Sequence, residues 1–159
     1  MDTIAVLLRE PERLELGRVD IVAPGAGDVV VDVDWSGIST GTERLLWEGR
    51  MPHFPGMGYP LVPGYESVGR IAMAGHDSGH REGDRVFVAG ARCFAQVRGL
   101  FGAAAARLVV PGPRATVIDS TLGDRGILLA LAATAEHALA AAGARSPELI
   151  IGHGVLGRL

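Results

Sequence analysis

Three glycines near the end of the sequence have a spacing that suits dinucleotide binding. Gly152, Gly154 and Gly157 follow the apolar run 148–151 directly, in the pattern G-x-G-x-x-G. In such a unit the run is a buried strand, the glycines let the backbone approach a pyrophosphate, and a helix follows. We therefore expect these three glycines to bind a cofactor, and an ordinary glycine turn is the alternative.

The histidines and the cysteine offer little for a metal ion. His76 and His80 are spaced as a ligand pair would be on a helix, but Gly75 and Gly79 disfavour a helix there. We interpret both as surface histidines in a hairpin loop. Cys93 is the only cysteine, which excludes an internal disulfide and a cysteine-rich zinc site.

Short strands dominate the first two thirds of the sequence. Alternating or β-branched runs predict strands at 4–8, 14–22, 29–35, 67–72, 85–89 and 106–110. Between residues 49 and 64, closely spaced prolines forbid regular structure and predict a loop, which we call the proline loop. The 23 glycines and nine prolines fit strands joined by tight turns better than a helical bundle.

Two helices are predicted. The run from Thr42 to Trp47 suits a brief helix, with Ser39, Thr40 or Thr42 as its cap. The alanine- and leucine-rich segment 122–143 predicts a longer helix that is divided at Gly126 and ends at Gly143.

Composition excludes several classes of protein. The 159 residues include 15 basic and 18 acidic residues, a formal net charge of −3, so the chain lacks the positive field that binds nucleic acid. The N-terminus does not have the pattern of a signal peptide, and no uninterrupted apolar run has the length of a transmembrane segment. These observations predict a cytoplasmic protein.

Five segments together resemble the medium-chain dehydrogenase/reductase family. They are SGISTGTE (36–43), YPLVPGYESVGRI (59–71), REGDRVFV (81–88), ATAEHAL (133–139) and GHGVLG (152–157), in the family's order and spacing. The resemblance implies a mainly β fold with some α: a GroES-like β-barrel substrate domain over 1–120. A linker helix and the first strand of a truncated Rossmann domain would occupy 121–159, with NAD or NADP as cofactor of the intact protein.

Part of the sequence resembles family members that act on bacteriochlorins. Residues 37–69 and 91–111 carry this likeness, which implies oxidation of a hydroxyethyl group to acetyl on a bacteriochlorin or other apolar small molecule. The proline loop would then line a wide pocket through His53, Phe54, Met57 and Tyr59. For His53, a solvated loop position is the alternative.

The resemblance also bears on zinc. Zinc-dependent members use a cysteine, a histidine and a further cysteine or acid, and the matching positions here are Ser39, Tyr65 and a residue near Ala130. A serine hydroxyl, a phenol and a methyl group are poor zinc ligands, because zinc prefers thiolate, imidazole or carboxylate. We therefore expect an enzyme without zinc.

Alcohol oxidation without zinc still requires a group that removes the hydroxyl proton. Within the resemblance, Ser39, Thr42 and Tyr65 are expected to contact the substrate oxygen, Glu66 to be a buried orienting acid, and Thr134 to approach the cofactor. Glu43 and His53 are further candidates for the base. In the structural alternatives Ser39 and Thr42 cap a helix, Tyr65 packs, and Glu66 accepts backbone hydrogen bonds.

Three expectations concern the chain as a whole. These 159 residues should be inactive alone, because a Rossmann site cannot form from one strand and a few further residues. Segments 122–142 and 149–151 should expose an apolar patch that favours a homo-oligomer. A quinone or enone reductase of the same family and a non-catalytic pigment-binding module are the alternative functions.

Overall fold

Two curled sheets form the body of the molecule. The computed structural model describes residues 1–143 and 147–159. One sheet has the order β2-β1-β4-β7 and the other β8-β3-β5-β6-β9, and all pairs are antiparallel except the parallel pair of β4 and β7. The strands are β1 (Asp2–Glu10), β2 (Arg13–Asp20), β3 (Asp28–Ser36), β4 (Leu61–Val62), β5 (Ser67–Ala74), β6 (Arg85–Val88), β7 (Arg98–Gly99), β8 (Arg107–Pro111) and β9 (Ala115–Val117).

Backbone hydrogen bonds join the two sheets into a barrel. The amide of Val6 in β1 donates to the carbonyl of Ala104 at 2.9 Å, and the amide of Ala106 donates to the carbonyl of Ile4 at 2.8 Å. The apolar core lies between the sheets, and β3 contributes Val29, Val30 and Val31 to it. All three are buried although successive side chains of a strand point to opposite faces, so both faces of β3 are covered at this point.

The six predicted strands are present, with ends that differ by two residues or fewer. The sequence did not predict β4, β7 or β9. These strands span only two or three residues each, too few for an alternating pattern to be recognised.

The helices agree with the sequence in part. Helix α1 (Thr42–Trp47) has the predicted bounds. The second predicted helix is a 3-10 helix over Ser120–Leu128 followed by helix α2 (Leu129–Ala142), which ends at Gly143 with a φ of 78°. The predicted break at Gly126 is wrong, because the non-helical residue is Gly123, with φ 57° and ψ −131°. Gly126 is buried against the barrel, where an added Cβ would lie 3.0 Å from a methyl group of Val68.

The predicted strand at residues 148–151 is not formed. The structure assigns no strand there, and the side chain of Ile151 is 92% exposed. A strand requires a neighbour that accepts and donates its backbone hydrogen bonds, and within 1–143 and 147–159 no strand pairs with this run. The glycine pattern is followed by helix α3 (Val155–Arg158).

The helical segment Ser120–Ala142 is the longest apolar helical segment among the residues that the structure describes. Its 23 residues are long and apolar enough to cross a membrane by length and composition, and 6% of the window is buried. Asp124, Arg125 and Glu136 lie within it, and Gly123 interrupts its helical backbone. The finding rests on length and composition alone.

His80 is not the surface residue that the sequence suggested. Its side chain is 12% exposed, and its Nε2 lies 2.8 Å from the carbonyl oxygen of Gly112. His76, in contrast, is exposed as predicted. The loop between β5 and β6 is therefore fixed against the short 3-10 turn Gly112–Arg114.

Candidate active site

The start of helix α1 carries the first group of polar side chains. The amide of Thr42 donates to the hydroxyl of Ser39 at 3.3 Å, and the amide of Ser39 donates to a carboxylate oxygen of Glu43 at 3.1 Å. These contacts satisfy backbone donors that a helix start leaves unpaired. The capping alternative for Ser39 is thus present in the structure, although Gly41 is the N-cap residue.

Tyr65 joins this group from the other side. Its hydroxyl lies 3.3 Å from the hydroxyl oxygen of Thr42. Its ring contacts the ring of Phe101 edge-on, with centroids 5.2 Å apart. The hydroxyls of Ser39, Thr42 and Tyr65, which the sequence placed around the substrate oxygen, therefore lie in one contiguous cluster.

Glu66 is a buried carboxyl group at the entry to β5. Its side chain is 5% exposed, and among the residues that the structure describes its Oε1 has no hydrogen-bond partner. Gly37 provides the room for this carboxyl, since an added Cβ there would lie 2.4 Å from Glu66 Oε2. The alternative in which backbone donors satisfy this carboxylate does not hold for Oε1.

Burial shifts the acidity of two neighbouring carboxyls. It raises the pKa of Glu66 above its ordinary value. It also raises the pKa of Glu43, where backbone hydrogen bonds oppose the effect and the charge of Glu66 adds to it. A carboxyl with a raised pKa can hold or accept a proton closer to neutral pH, as a general acid or base must.

A cavity of about 1200 Å³ brings half of the predicted site residues together. The barrel lines it with Ile38, Ser39, Thr40 and Glu66, and α2 lines it with Thr134 and apolar residues that include Leu131 and Leu139. The remaining wall comes from the segment 149–157, with Gly152, Gly154 and Gly157. We call this space the main cleft. Thr42 and Tyr65 do not line the main cleft. Thr42 contacts Ser39, and Tyr65 contacts Thr42.

The glycine turn has the local geometry that its sequence pattern implies. Gly152 has a φ of 104°, which a side chain would strain. An added Cβ at Gly157 would lie 2.6 Å from the carbonyl oxygen of Gly152, so α3 packs closely on the turn. Gly154 is the N-cap of α3 and has open space around it.

Thr134 faces the cleft from helix α2. Its hydroxyl donates to the carbonyl of Ala130 at 3.0 Å, one turn earlier in the helix. A residue on this face lies opposite Ser39 and Glu66 of the barrel. The structure therefore brings the predicted substrate-contacting and cofactor-contacting residues to two walls of one space.

The proline loop lies elsewhere than the sequence suggested. Phe54, Met57 and Tyr59 pack against a small core of Leu8, Leu46, Leu61 and Leu100, and the Tyr59 hydroxyl donates to the carbonyl of Leu46. None of these residues lines the main cleft, and His53 is exposed. Phe54 lines a second cavity of about 550 Å³. The apolar character of the loop is explained by packing, which the sequence pattern could not distinguish from a pocket wall.

The donor atoms near the cleft do not fit a catalytic zinc ion. Ser39 and Tyr65, which the resemblance matches to zinc ligands, supply neutral hydroxyls, and Ala130 supplies a methyl group. Within the described ranges, no three His, Cys, Asp or Glu side chains are grouped so that they could hold a metal ion.

Residues 25–142 match the alcohol dehydrogenase GroES-like domain family. The chain belongs to this family. It is 54% identical over its whole length to 2-desacetyl-2-hydroxyethyl bacteriochlorophyllide A dehydrogenase of Rhodobacter capsulatus, and 56% identical to the protein of the same name from Cereibacter sphaeroides. The chain spans about half the length of these curated relatives, 51% and 52% respectively.

The solved structure of a dehydrogenase shows the same fold. A protein of the zinc-binding dehydrogenase type from Sinorhizobium meliloti 1021, bound to NADP, superimposes with a TM-score of 0.77 at 26% identity. The match covers 99% of this chain and 51% of the other. The predicted GroES-like, mainly β fold is confirmed.

Sequence reasoning missed the function of one residue at the cleft. Gly37 leaves the space that the Glu66 carboxyl occupies. Its position next to the hydroxyl-rich segment was visible in the sequence, but the closeness of β5 was not. Only the pairing of β3 with β5, through partners such as Ser36 and Ser67, brings the two residues together.

Proposed function

We propose that the protein containing this chain is an NAD(P)-dependent dehydrogenase that oxidises the hydroxyethyl group of a bacteriochlorophyllide to acetyl. The observation that carries the proposal is the main cleft, where the buried carboxyl of Glu66 and the hydroxyl of Ser39 face Thr134 and the glycine turn. Two relatives that are 54% and 56% identical to this chain over its whole length bear the name of this activity.

The parts of the chain have separate tasks in this proposal. Residues 1–120 form the substrate domain, and residues 121–159 begin the cofactor domain. NAD or NADP, when bound, accepts the hydride that leaves the carbon of the alcohol. The glycine turn fits the pyrophosphate of such a cofactor, because its backbone is free of side chains at Gly152 and Gly154.

The chain's own residues handle the proton. Oxidation of a secondary alcohol removes one hydride from carbon and one proton from oxygen. Glu66 receives the proton on its carboxylate, and the hydroxyl of Ser39 orients the substrate oxygen beside it. Glu43, Thr42 and Tyr65 position Ser39 through the hydrogen bonds around α1. Because no zinc ligands match, the reaction depends on this carboxyl rather than on a metal.

The decisive measurement is turnover by the full-length protein with hydroxyethyl bacteriochlorophyllide and NAD or NADP. We expect Glu66→Gln to lower kcat by about 10²- to 10⁴-fold, the usual contribution of a general base. Glu82→Gln, in the exposed loop before β6, is the matched control and should keep its activity. Full activity of Glu66→Gln would exclude the proton-accepting role, and absence of turnover in the unmodified protein would exclude the reaction.

We also propose that the chain self-associates in the cytoplasm. Large apolar side chains are exposed around the main cleft, among them Ile38, Leu139, Leu149 and Ile151. Exposed apolar surface on this scale favours association. A second copy of the chain is the occupant that we propose for it.

A further inference from the structure

The second cavity has a composition unlike that of the main cleft. It is an open pocket of about 550 Å³, lined by the aromatic side chains of Phe54, Phe94 and Phe101 and by the exposed arginines Arg92, Arg98 and Arg114. We call it the arginine cavity. Neither the resemblance to the family nor the proposed reaction uses these arginines.

The charge of the three arginines is not balanced locally. Elsewhere in the barrel, arginines contact carboxylates, as in Arg85 with Asp34 at 2.6 Å and Arg107 with Asp32 at 2.6 Å. In the parts of the chain that the structure describes, no carboxylate lies within 4.0 Å of Arg92, Arg98 or Arg114. The protein has a net charge of −3, so this local concentration of positive charge is not a general property of its surface.

Close backbone packing fixes the walls of the cavity. The amide of Ala91 donates to the carbonyl of Phe101 at 2.6 Å. An added Cβ at Gly90 would lie 2.4 Å from the same carbonyl, and one at Gly102 would lie 2.1 Å from the carbonyl of Ala91. Both glycines also have positive φ. The two ends of the segment 90–102 are therefore held together, with Arg92, Arg98 and Phe101 around one opening.

The proline loop closes the cavity from the opposite side. Phe54 and Gly56 of this loop line it. An added Cβ at Gly58 would lie 3.1 Å from Nε of Arg98, so the loop backbone runs directly beside that guanidinium group. This explains why the apolar proline loop belongs to a cavity other than the main cleft.

We propose that the arginine cavity binds the carboxylate of an aromatic molecule. A guanidinium group pairs with a carboxylate through two parallel hydrogen bonds, and phenylalanine rings provide apolar contact for the aromatic part. Three arginines without acidic partners provide the charge that this ligand needs. An uncharged aromatic molecule would make no ion pair with these guanidinium groups.

Side-chain contacts lead from the arginine cavity to the start of α1. Phe101 lines the cavity and contacts Tyr65, which in turn lies 3.3 Å from Thr42. Among the described residues, none lines both the arginine cavity and the main cleft. A chlorophyllide is, by chemical definition, the free acid of its pigment, so in the proposed function the carboxylate of the substrate is the ligand of the arginine cavity; this assignment rests on the proposed function.

The test compares acids with their methyl esters in equilibrium binding to the full-length protein. The first pair is 2-naphthoate and methyl 2-naphthoate, which tests the cavity without the pigment. We expect the acid to bind about tenfold more tightly than the ester, which corresponds to about 1.4 kcal/mol. Arg98→Gln and Arg114→Gln should each reduce this preference. Arg70→Gln, an exposed arginine that also has no carboxylate partner in the described ranges, is the control and should retain it.

Equal affinity for naphthoate and its ester, or a preference unchanged in both cavity variants, would overturn the proposal. The second pair, bacteriochlorophyllide and its methyl ester, then identifies the source of the carboxylate. An arginine-dependent preference for the free acid supports the substrate as the ligand. If the protein prefers naphthoate to its ester but binds the pigment acid and its ester equally well, the arginine cavity binds an aromatic acid other than the pigment. If neither pigment binds, the proposed function fails independently of the cavity.

Discussion

The buried carboxyl of Glu66 has a free-energy cost that the fold does not offset by hydrogen bonding at Oε1. A polar atom buried without a partner usually destabilises a protein by about 1–3 kcal/mol. Its neighbour Glu43 is also shifted toward the protonated form by burial. Two neighbouring carboxyls in this state, of which Glu66 lines the main cleft, suit proton transfer better than they suit stability.

The stability of the protein should therefore depend on pH through Glu66. Because its folded pKa is raised, its contribution is complete below the ordinary glutamate value of 4.5 and is lost as the pH rises through the folded value. Glu66→Gln removes this loss. We expect the free energy of unfolding of the variant, relative to that of the unmodified protein, to be larger at pH 8 than at pH 5. Urea denaturation at both pH values measures it, and an unchanged difference would contradict the burial argument.

Gly37 is the residue whose replacement should displace that carboxyl. The added methyl group in Gly37→Ala would meet both the Oε2 and the Cβ of Glu66, the latter at 2.9 Å. We expect a loss of about 1–3 kcal/mol in stability from overpacking, together with reduced turnover. Gly27→Ala has no atom within 4 Å of its added Cβ and serves as the control. Denaturation and kinetic measurements on both variants decide whether the space at Gly37 is required.

Individual residues were predicted unevenly from the sequence. Ser39, Thr42, Tyr65 and Glu66 could be named because they occupy recognisable positions of family motifs, and the structure brings them together. The arginine cavity could not, because Arg92, Arg98 and Arg114 have no motif in common. The segment 90–102, the proline loop and the turn Gly112–Arg114 meet at this opening only in the folded protein.

At the scale of elements, the 3-10 helix Ser120–Leu128 is attached to the barrel by two contacts. Gly126 packs against Val68 of β5. Arg85 of β6 donates to the carbonyl of Gly123 at 3.2 Å while it pairs with Asp34 of β3. Because Arg85 is buried, its guanidinium group links β3, β6 and this helix inside the protein rather than at its surface.

Loss of this link should be measurable. Arg85→Met keeps an unbranched apolar side chain but removes the donors to Gly123 and Asp34, so we expect the free energy of unfolding to fall by about 1–3 kcal/mol. Arg81→Met, in the exposed loop before β6, is the control and should change stability by less than about 0.5 kcal/mol. Equal values from urea denaturation would show that the 3-10 helix does not depend on Arg85.

Elements with a strong local pattern were predictable, and elements formed by distant contacts were not. Strands β3 and β5 span nine and eight residues, long enough for their sequence pattern to be recognised. The two-residue strands β4 and β7 exist only because the fold aligns their backbones with each other. The run 148–151 is the opposite case, since its apolar pattern favours a strand but no described neighbour pairs with it.

At the scale of the molecule, the apolar surface around the main cleft should control self-association. Leu139→Glu with Ile151→Glu places two charges on that surface, and we expect the double variant to sediment as a monomer at concentrations where the unmodified chain forms dimers. Leu16→Glu changes an exposed leucine on β2 and should not alter the association. A monomeric unmodified chain in sedimentation velocity at high concentration would refute the proposal.

Helix α2 has 14 residues and none of them is buried. Its displacement from the barrel would therefore create no void in the core, in contrast to β3, whose three consecutive valines are fully enclosed. Movement of α2 away from the barrel would therefore widen the main cleft at little cost in buried apolar surface, and a rigid, flat substrate wider than the cleft could enter. The barrel would stay fixed during this movement.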